Sequence, residues 1–228
     1  MEKVVSAELA LGQFSIIKEP IVLDKWLIWL EQRPVEAGRT TVLIRPWGRP
    51  ELNPQELTPS PINLRSKVHV YGGGVMSAAI SNQKLLITWI DANNNGLWIQ
   101  SFKLCSQTIL DGNNWFEKTS SPRCLASSQE YSLAGGLIDI SKNCWIGCME
   151  KSGKDFIVLC FLESVKQNPK IIHEAFDFSG YLALSPDKDK LAWVEWNQPN
   201  MPWDSSQLWL ASFDANYELS SKRVIAGN

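Results

Sequence analysis

Histidine is scarce in this 228-residue chain, which contains only His69 and His173. A Ser-His-Asp triad would have to use one of them, and neither lies in a motif typical of such triads. The sequence has no Gly-x-Ser-x-Gly nucleophile elbow, Walker loop, Gly-x-Gly-x-x-Gly or His-Glu-x-x-His motif. Acidic residues are dispersed, so spacing alone identifies no acid and base pair. We predict that the chain carries no catalytic residue and is not an enzyme on its own.

The five cysteines are scattered and include no Cys-x-x-Cys pair. Cys144 and Cys148 would face one side of a strand, but a metal site would need further ligands nearby, and His173 is the only histidine in that half of the chain. We predict no metal and no cofactor. Reduced, mostly buried thiols in a cytoplasmic protein are the expected state.

Gly72, Gly73 and Gly74 could form a nest of backbone amides that binds an anion. They precede a strand pattern rather than a helix, however, so we favour a tight turn or bulge where the chain joins a sheet.

A pattern of four strands recurs four times along the chain. The strands are rich in Val, Ile, Trp and Phe and are bounded by Gly, Pro, Asn and Asp. The opening strands are Phe14–Ile17, Gly74–Ile80, Gly136–Ile140 and Tyr181–Leu184. The second strands match as Trp26–Glu31, Leu85–Ile90, Cys144–Met149 and Leu191–Trp196, and the third as Val42–Trp47, Leu97–Phe102, Phe156–Phe161 and Leu208–Phe213. The closing strands are Gln55–Thr58, Gln107–Leu110, Lys170–His173 and Arg223–Ala226.

Tandem four-stranded units of about 40–50 residues are typical of β-propeller blades. A sandwich or barrel would give regular strands without a fourfold repeat of one pattern. We predict an all-β partial propeller over residues 1–228, a single domain of about four blades of four antiparallel strands. The blades are placed at about 14–59, 71–113, 131–176 and 181–228. Polar insertions at Ser60–Val70 and Asn114–Glu130 are expected to separate blades.

Eleven tryptophans allow two interpretations. They could line a sugar or peptide site, or they could fill the space between blades. Because most occupy repeated strand positions, we favour the second, with Trp115 and Trp203 as the candidates for a surface role.

Composition excludes several partners. The net charge is −2 and there is no basic run, so neither nucleic acid nor an anionic membrane is expected to bind. No window approaches the ~20 apolar residues of a membrane span, and the first residues do not read as a secretory signal.

Three segments resemble the N-terminal propeller of prolyl oligopeptidase-family serine peptidases, above all the bacterial dipeptidyl aminopeptidase or acylaminoacyl-peptidase-like enzymes. They are Trp29–Arg39, Arg65–Gly74 and Leu184–Asp204, the last with the string Pro-Asn-Met-Pro-Trp-Asp. The chain departs from the family at Val70, where an acidic residue is usual, and at Gln198, where His is common. The predicted third blade matches poorly.

The resemblance implies a propeller of about seven blades that caps an α/β-hydrolase domain and admits only short peptides. That domain carries the family's catalytic residues and would lie beyond Asn228, so the resemblance places none of them in this chain. It also implies that the segment around His69 and the loop Asn197–Ser206 contact substrate or the hydrolase domain. The candidate residues are His69, Tyr71, Gly72, Gly73, Asn200, Trp203 and Asp204.

Each candidate segment has a structural alternative. His69 could be a satisfied histidine where a strand begins, and the second segment could be a rigid hairpin whose Trp203 packs on its own blade.

Four blades of a larger ring would leave two outer faces bare, so the isolated chain is expected to self-associate or aggregate. Two main functions remain open. One is the non-catalytic propeller portion of a serine peptidase, which gates access to a hydrolase domain. The other is a free-standing propeller that binds a partner protein on its open blade faces. A Trp-lined propeller that binds sugars is a third, less favoured function.

Overall fold

The computed structural model describes residues 14–105 and 114–227, which divide into two compact units, Met1–Asn63 and Leu64–Asn228. The first unit holds one antiparallel sheet in the order β1 to β4. Its strands are β1 (Ile16–Leu23), β2 (Trp26–Arg33), β3 (Arg39–Pro46) and β4 (Gln55–Glu56), with a 3-10 turn at Pro34–Glu36.

The second unit holds three further antiparallel sheets. The second sheet contains β5 (Met76–Ser81), β6 (Lys84–Asp91), β7 (Gly96–Leu104), β8 (Phe116–Lys118) and β9 (Arg123–Ser127). The third contains β10 (Ser132–Asp139), β11 (Cys144–Lys151), β12 (Lys154–Phe161) and β13 (Lys170–Glu174). The fourth contains β14 (Phe178–Leu184), β15 (Lys190–Trp196), β16 (Gln207–Phe213) and β17 (Leu219–Gly227).

Four sheets of consecutive antiparallel strands confirm the predicted fold class, an all-β partial propeller of four blades. The prediction of a single domain over residues 1–228 stays a prediction.

The second strands of the second and third sheets are buried on both faces. Seven consecutive residues are buried in β6 and six in β11. A sheet with one wet face would bury every second residue instead. These strands therefore read as continuous apolar runs because both of their faces are covered.

The fourth strand of the second sheet differs from the prediction. The expected strand Gln107–Leu110 lies outside the described residues. Among the described residues, two short strands, β8 and β9, pair with β7. The prediction of Asn114–Glu130 as an insertion between blades is therefore wrong, because this segment supplies the outer strands of the sheet.

The structure also corrects the matching of repeats. Leu97 pairs with Ala126 in the second sheet, and Leu208 pairs with Ala226 in the fourth, with a register shift at the same point of both ladders. The counterpart of Arg223–Ala226 is thus Arg123–Ala126. Trp89 pairs with Trp98 in the second sheet and Trp193 pairs with Trp209 in the fourth, so Trp89 and Trp193 are counterparts. The predicted matching of Leu85 with Leu191 is therefore two residues out of register.

The interpretation of tryptophan as core filling is confirmed for most positions. Six of the eleven are buried: Trp26, Trp29, Trp89, Trp115, Trp145 and Trp193. The predicted surface role of Trp115 is wrong, because only 7% of it is exposed, whereas Trp203 is 76% exposed.

An apolar cluster joins the third and fourth sheets. Its buried members are Cys144, Ile146, Ile157, Leu159 and Ile172 from one sheet and Leu191, Trp193, Ala211 and Leu219 from the other. At its edge the His173 ring nitrogen Nε2 lies 2.6 Å from Glu195 Oε1, and Trp193 Nε1 donates to the same oxygen at 2.6 Å. The buried Glu195 carboxylate is thus bonded from both sheets.

The cysteines are free thiols, and all except the half-buried Cys105 are buried, as predicted. Burial raises the pKa of the Cys144, Cys148 and Cys160 thiols to about 12. In the described ranges, no group of three or more His, Cys, Asp or Glu side chains could hold a metal ion. No helix in the same ranges could span a membrane.

Trp145 fits into the third sheet only because two glycines leave room for its ring. A Cβ atom at Gly147 would come within 2.0 Å of the indole, and one at Gly136 within 1.9 Å. A side chain at either position would therefore clash with the ring through its Cβ atom.

Gly147→Ala is expected to lower the free energy of unfolding by about 1–3 kcal/mol, because the added methyl overpacks the site of the ring. Chemical denaturation followed by tryptophan fluorescence measures the change. Gly180→Ala is the matched control, since its Cβ would meet Trp196 no closer than 3.7 Å. Equal losses in both variants would contradict the steric explanation.

The first sheet is closed at one end by a network of ion pairs. Arg39 contacts Glu36 at 2.5 Å and Glu56 at 2.6 Å, and Arg33 contacts Glu31, Glu36 and Glu56. Arg39 is mostly buried and also donates to the Thr58 and Ile62 carbonyls. Burial alone would raise the pKa of Glu56, but hydrogen bonds from Arg39 and Thr41 and the nearby arginine charges bring it below its ordinary value.

Because the folded pKa of Glu56 is lowered, its contribution to stability is present above the ordinary glutamate pKa of about 4.3 and is lost as pH falls through the folded value. Glu56→Gln is expected to be less stable than the wild type at pH 7 and to lose less on going to pH 3. Denaturant titrations at both pH values measure the difference. A constant gap between the two proteins would refute this account.

Candidate functional site

Strand direction places several loops of the second unit at one end of its sheets. In each sheet the second and fourth strands run in the same direction, so the turn after the second strand and the connection after the fourth lie at the same end. This end, called the loop end, carries residues 67–74, 175–178 and 197–206.

Residues 64–75, the lead-in segment, precede the second sheet and are tied to the third. Ser66 Oγ donates to the Leu133 carbonyl at 2.7 Å, and Gly135 N donates to the Gly74 carbonyl at 2.7 Å. A Cβ atom at Gly73 would lie 2.8 Å from that of Ala134, so this position needs glycine for close approach. The segment therefore follows the third sheet closely.

His69 anchors the lead-in segment to a buried acid. Its Nε2 atom lies 2.7 Å from Oδ1 of Asp155 on β12, while Ser179 N from β14 donates to the other carboxylate oxygen at 2.8 Å. Asp155 is buried, and burial raises the pKa of its carboxyl group despite the hydrogen bonds from Ser179 and His69. One carboxylate thus joins the lead-in segment, the third sheet and the fourth sheet.

An aromatic stack extends this junction into the fourth sheet. The His69 ring meets Phe178 edge-on at 4.9 Å, and Phe178 stacks on Trp196 with ring centroids 5.5 Å apart. One residue before Phe178, Asp177 accepts a hydrogen bond from Gln198 N at 2.9 Å. The three segments of the loop end are therefore connected through side-chain contacts.

The loop end presents large apolar side chains to solvent. Tyr71 is 98% exposed, Val70 87%, Trp203 76% and Phe176 72%. Large apolar side chains exposed at one end of the sheets make that end a candidate for an interaction site.

Val70 also has an unusual backbone. Its φ is +68°, next to His69 at +48° and Gly72 at +86°. A positive φ is rare for a β-branched residue and is maintained only when the surroundings impose it. The exposed tip is fixed on one side by the contact between His69 and Asp155. On the other side it is fixed by the turn in which Gly72 N donates to the Val68 carbonyl.

The remaining candidates lie in the loop 197–206. Asn200 N donates to the Asn197 carbonyl, and Asp204 Oδ2 accepts a hydrogen bond from Met201 N at 3.1 Å. These bonds stiffen the loop as a turn, while Trp203 projects from it rather than packing as a buried side chain.

All seven candidates lie at the loop end, but their positions differ in kind. His69 is a satisfied histidine, which agrees with its structural alternative. Gly72 has the positive φ of a turn glycine, which agrees with the favoured turn interpretation. Tyr71 and Trp203 are the exposed members.

Sequence reasoning missed Asp155 and Phe176. Asp155 stands in the weakly matching third repeat, and nothing in its local sequence distinguishes it from a turn residue. The predicted third blade ends at Phe176, although a large apolar residue between a closing strand and an opening strand is itself a signal of exposure at a connection.

Both histidines are engaged by buried carboxylates, His69 by Asp155 and His173 by Glu195. Lys222 Nζ lies 3.3 Å from Nδ1 of His173. Because an ammonium group only donates, Nδ1 must accept this contact, so we assign the proton to Nε2, which faces Glu195.

Solved structures share this fold. A puromycin hydrolase matches all of the chain with a TM-score of 0.79 and 19% identity, over 35% of its own length. A puromycin-hydrolyzing peptidase of Mycobacterium tuberculosis matches 94% of the chain, with a TM-score of 0.76 and 21% identity, over 32% of its length. A prolyl endopeptidase matches 93% with a TM-score of 0.54 and 9% identity, over 28% of its length.

At these identities the likeness establishes the fold, which is that of the propeller portion of these proteins, as the sequence resemblance implied. The chain spans about a third of the length of the two closer structures. No protein-family model and no curated protein matches it.

Asp155→Ala is expected to lower the free energy of unfolding by about 2–4 kcal/mol, because it leaves the buried Ser179 N–H and the His69 ring without their acceptor. Denaturant unfolding of the whole chain measures the loss. Asp155→Asn is the control, since its side-chain oxygen still accepts from Ser179, and it should lose less. A loss of under 0.5 kcal/mol in the alanine variant, about the size of an ordinary surface change, would contradict the anchoring role.

Proposed function

We propose that this chain is the non-catalytic propeller portion of a serine peptidase of the dipeptidyl or acylaminoacyl aminopeptidase type, and that it gates access to a hydrolase domain. The observation that carries the proposal is the loop end, where rigid loops hold Tyr71, Phe176 and Trp203 in solvent. The likeness in fold to the propeller portion of peptidases, over the whole chain, supports it.

The chemistry of the loop end suits contact with another protein domain. Aromatic side chains are enriched at interface centres, since they bury a large area and lose little conformational freedom. The loops that hold them are already fixed by the Asp155 junction and by the Asp177–Gln198 bond. A rigid surface of this kind loses little entropy when it binds.

Gating follows from where these side chains stand. A hydrolase domain docked on the loop end would enclose its active site between the two domains. Short peptides could enter that space, whereas a folded protein could not. Tyr71 and Trp203 would then line the space or its rim and select substrates by size. A cytoplasmic location fits the free thiols of the chain.

A free-standing scaffold is the second candidate. The observation that favours it is the face of the fourth sheet that points away from the third, where Val194, Leu208 and Leu210 are only half-buried. Such a face could bind a partner protein without any hydrolase domain.

The proposal predicts that the purified 228-residue chain does not hydrolyse aminoacyl or acyl-aminoacyl substrates, whereas the native protein, with its hydrolase domain, does. In the native protein, Tyr71→Ala and Trp203→Ala are each expected to change the ratio of kcat/KM between short and long peptides by about tenfold, the effect of a 1.4 kcal/mol contact. Steady-state kinetics on a peptide length series measures the ratio.

Val165→Ala is the matched control, because Val165 is exposed in the connection between β12 and β13, at the opposite end of the third sheet. Its ratio should not change. Hydrolysis by the purified chain that survives repurification would overturn the proposal. Unchanged length selectivity in both loop-end variants would remove the gating role.

A further inference from the structure

A lysine, a histidine and a buried carboxylate form a row of contacts at the junction of the third and fourth sheets. Lys222 Nζ on β17 lies 3.3 Å from His173 Nδ1 on β13, and His173 Nε2 lies 2.6 Å from Glu195 Oε1 on β15. The same carboxylate oxygen accepts a hydrogen bond from Trp193 Nε1 at 2.6 Å. The row therefore leads from a buried acid to an exposed lysine.

The imidazole in the middle of this row is held in one orientation. The His173 side chain is only 12% exposed, and its ring centroid lies 4.9 Å from that of Trp193 and 6.1 Å from that of Trp209. Because Nε2 carries the proton that faces Glu195, the lone pair of Nδ1 faces Lys222. A nucleophile within reach of a base, with the base oriented by a third group, is the arrangement of an activated nucleophile.

The strand geometry does not account for the imidazole. Each sheet of the second unit has a register shift between its third strand and an outer strand. The outer-strand residues that pair immediately before this shift are Ala126, His173 and Ala226. Alanine thus occupies in two sheets the position that His173 occupies in the third.

Basic side chains fasten neighbouring sheets together without any histidine. Between the second and third sheets, the Arg123 guanidinium donates to the Leu162 and Ser164 carbonyls. Between the third and fourth sheets, Lys170 donates to the Asn216 carbonyl at 2.8 Å. Main-chain oxygens are therefore sufficient partners for a basic residue at these junctions.

Lys222 differs from other anchored lysines in the charge of its partners. Its Nζ donates to the Ile172 carbonyl at 3.3 Å as well as to the imidazole, and no carboxylate in the described ranges pairs with it. Lys170, by contrast, pairs with Glu218 at 2.6 Å. A carboxylate stabilises the ammonium form of a lysine, which has no lone pair, whereas a neutral imidazole can take a proton from the nitrogen.

A β-bulge directs Lys222 toward the histidine. Between two regular pairs of β16 and β17, Ser221 and Lys222 together oppose the single residue Ala211. Ser221 has a φ of +53°, which is uncommon for a residue other than glycine. Bulges re-aim side chains in this way and are frequent next to active sites.

We propose that Lys222 is a nucleophilic lysine, with His173 as its base, and that it is acylated by small acyl donors with a good leaving group, such as activated esters, acyl phosphates and thioesters. The site uses none of the loop-end residues. The inference therefore goes beyond the proposed function and does not rest on it.

The step is the aminolysis of the acyl donor. The lone pair of Nζ, in its neutral form, attacks the acyl carbon, and His173 Nδ1 takes a proton from the same nitrogen. The buried Glu195 carboxylate stabilises the imidazolium that forms. When the tetrahedral adduct collapses, the bond to the leaving group breaks and the imidazolium returns the proton to that group. The products are an amide on Nζ and the protonated leaving group, so Lys222 loses its positive charge.

Competitive acetylation of the native protein with p-nitrophenyl acetate tests this reactivity. After partial reaction, digestion and mass spectrometry give the extent of acetylation at each lysine. Lys170 is the matched control at the same junction, and the exposed Lys84 is the standard for an amine without an imidazole partner. Lys222 is expected to react at least about tenfold faster than either, since a positioned base contributes about 10²–10⁴-fold.

These ratios do not depend on peptidase activity. All lysines of one molecule meet the same concentration of reagent, so hydrolysis of the ester elsewhere in the protein cancels. The inference can therefore fail while the proposed function holds, and it can hold while that function fails.

Two variants test the role of the base. His173→Gln keeps an amide that can donate to Glu195 but removes the base, so it should lower acetylation of Lys222 to the rate of Lys84 and leave Lys170 unchanged. His173→Ala introduces the residue that the other two sheets carry at this position. In that variant, added imidazole should raise the rate at Lys222 relative to Lys84, which a loss of packing alone would not produce.

Two results would overturn the inference. The first is acetylation of Lys222 in the native protein no faster than that of Lys84, a measurement that needs no variant. The second is an unchanged rate at Lys222 in His173→Gln with an unchanged Tm, which would show that the imidazole is not the base.

Discussion

The second unit depends on one constraint, which is that its inner strands have no polar face. A sheet whose middle strands are apolar on both sides must bury both faces, and packing against another sheet of the same kind buries them. The repeated four-strand pattern in the sequence is consistent with this requirement. The Trp145 pocket and the cluster around Trp193 are two forms of this contact, one tightly fitted and the other ordinarily packed.

Strand content and the four sheets could be predicted from the sequence, because runs of Val, Ile and Trp bounded by turn residues depend only on local chemistry. The outer strand of the second sheet could not be located in this way. Its position is decided by pairing with β7, a contact over long sequence separation. A signal was nonetheless present, since Arg123-Cys-Leu-Ala repeats the Arg223-Val-Ile-Ala pattern.

The resemblance of short motifs named Tyr71 and Trp203 as candidates, and both are exposed at the loop end. What the motifs could not supply was the reason why these side chains are held in place. That reason lies in Asp155, from a repeat with little resemblance to the others, whose carboxylate receives bonds from two segments distant in sequence. Residues that organise a site through burial and geometry leave little trace in a local pattern. Residues that project from it, such as Trp203 in its Pro-rich loop, leave more.

The junction formed by Arg123 has a consequence for how such chains evolve. Its guanidinium recognises peptide carbonyls, a feature that every residue in the neighbouring connection possesses. A duplicated sheet could therefore attach to its parent at once and afterwards change almost every side chain without losing the attachment. Recognition that ignores side-chain identity allows an architecture to persist while most of its side chains change.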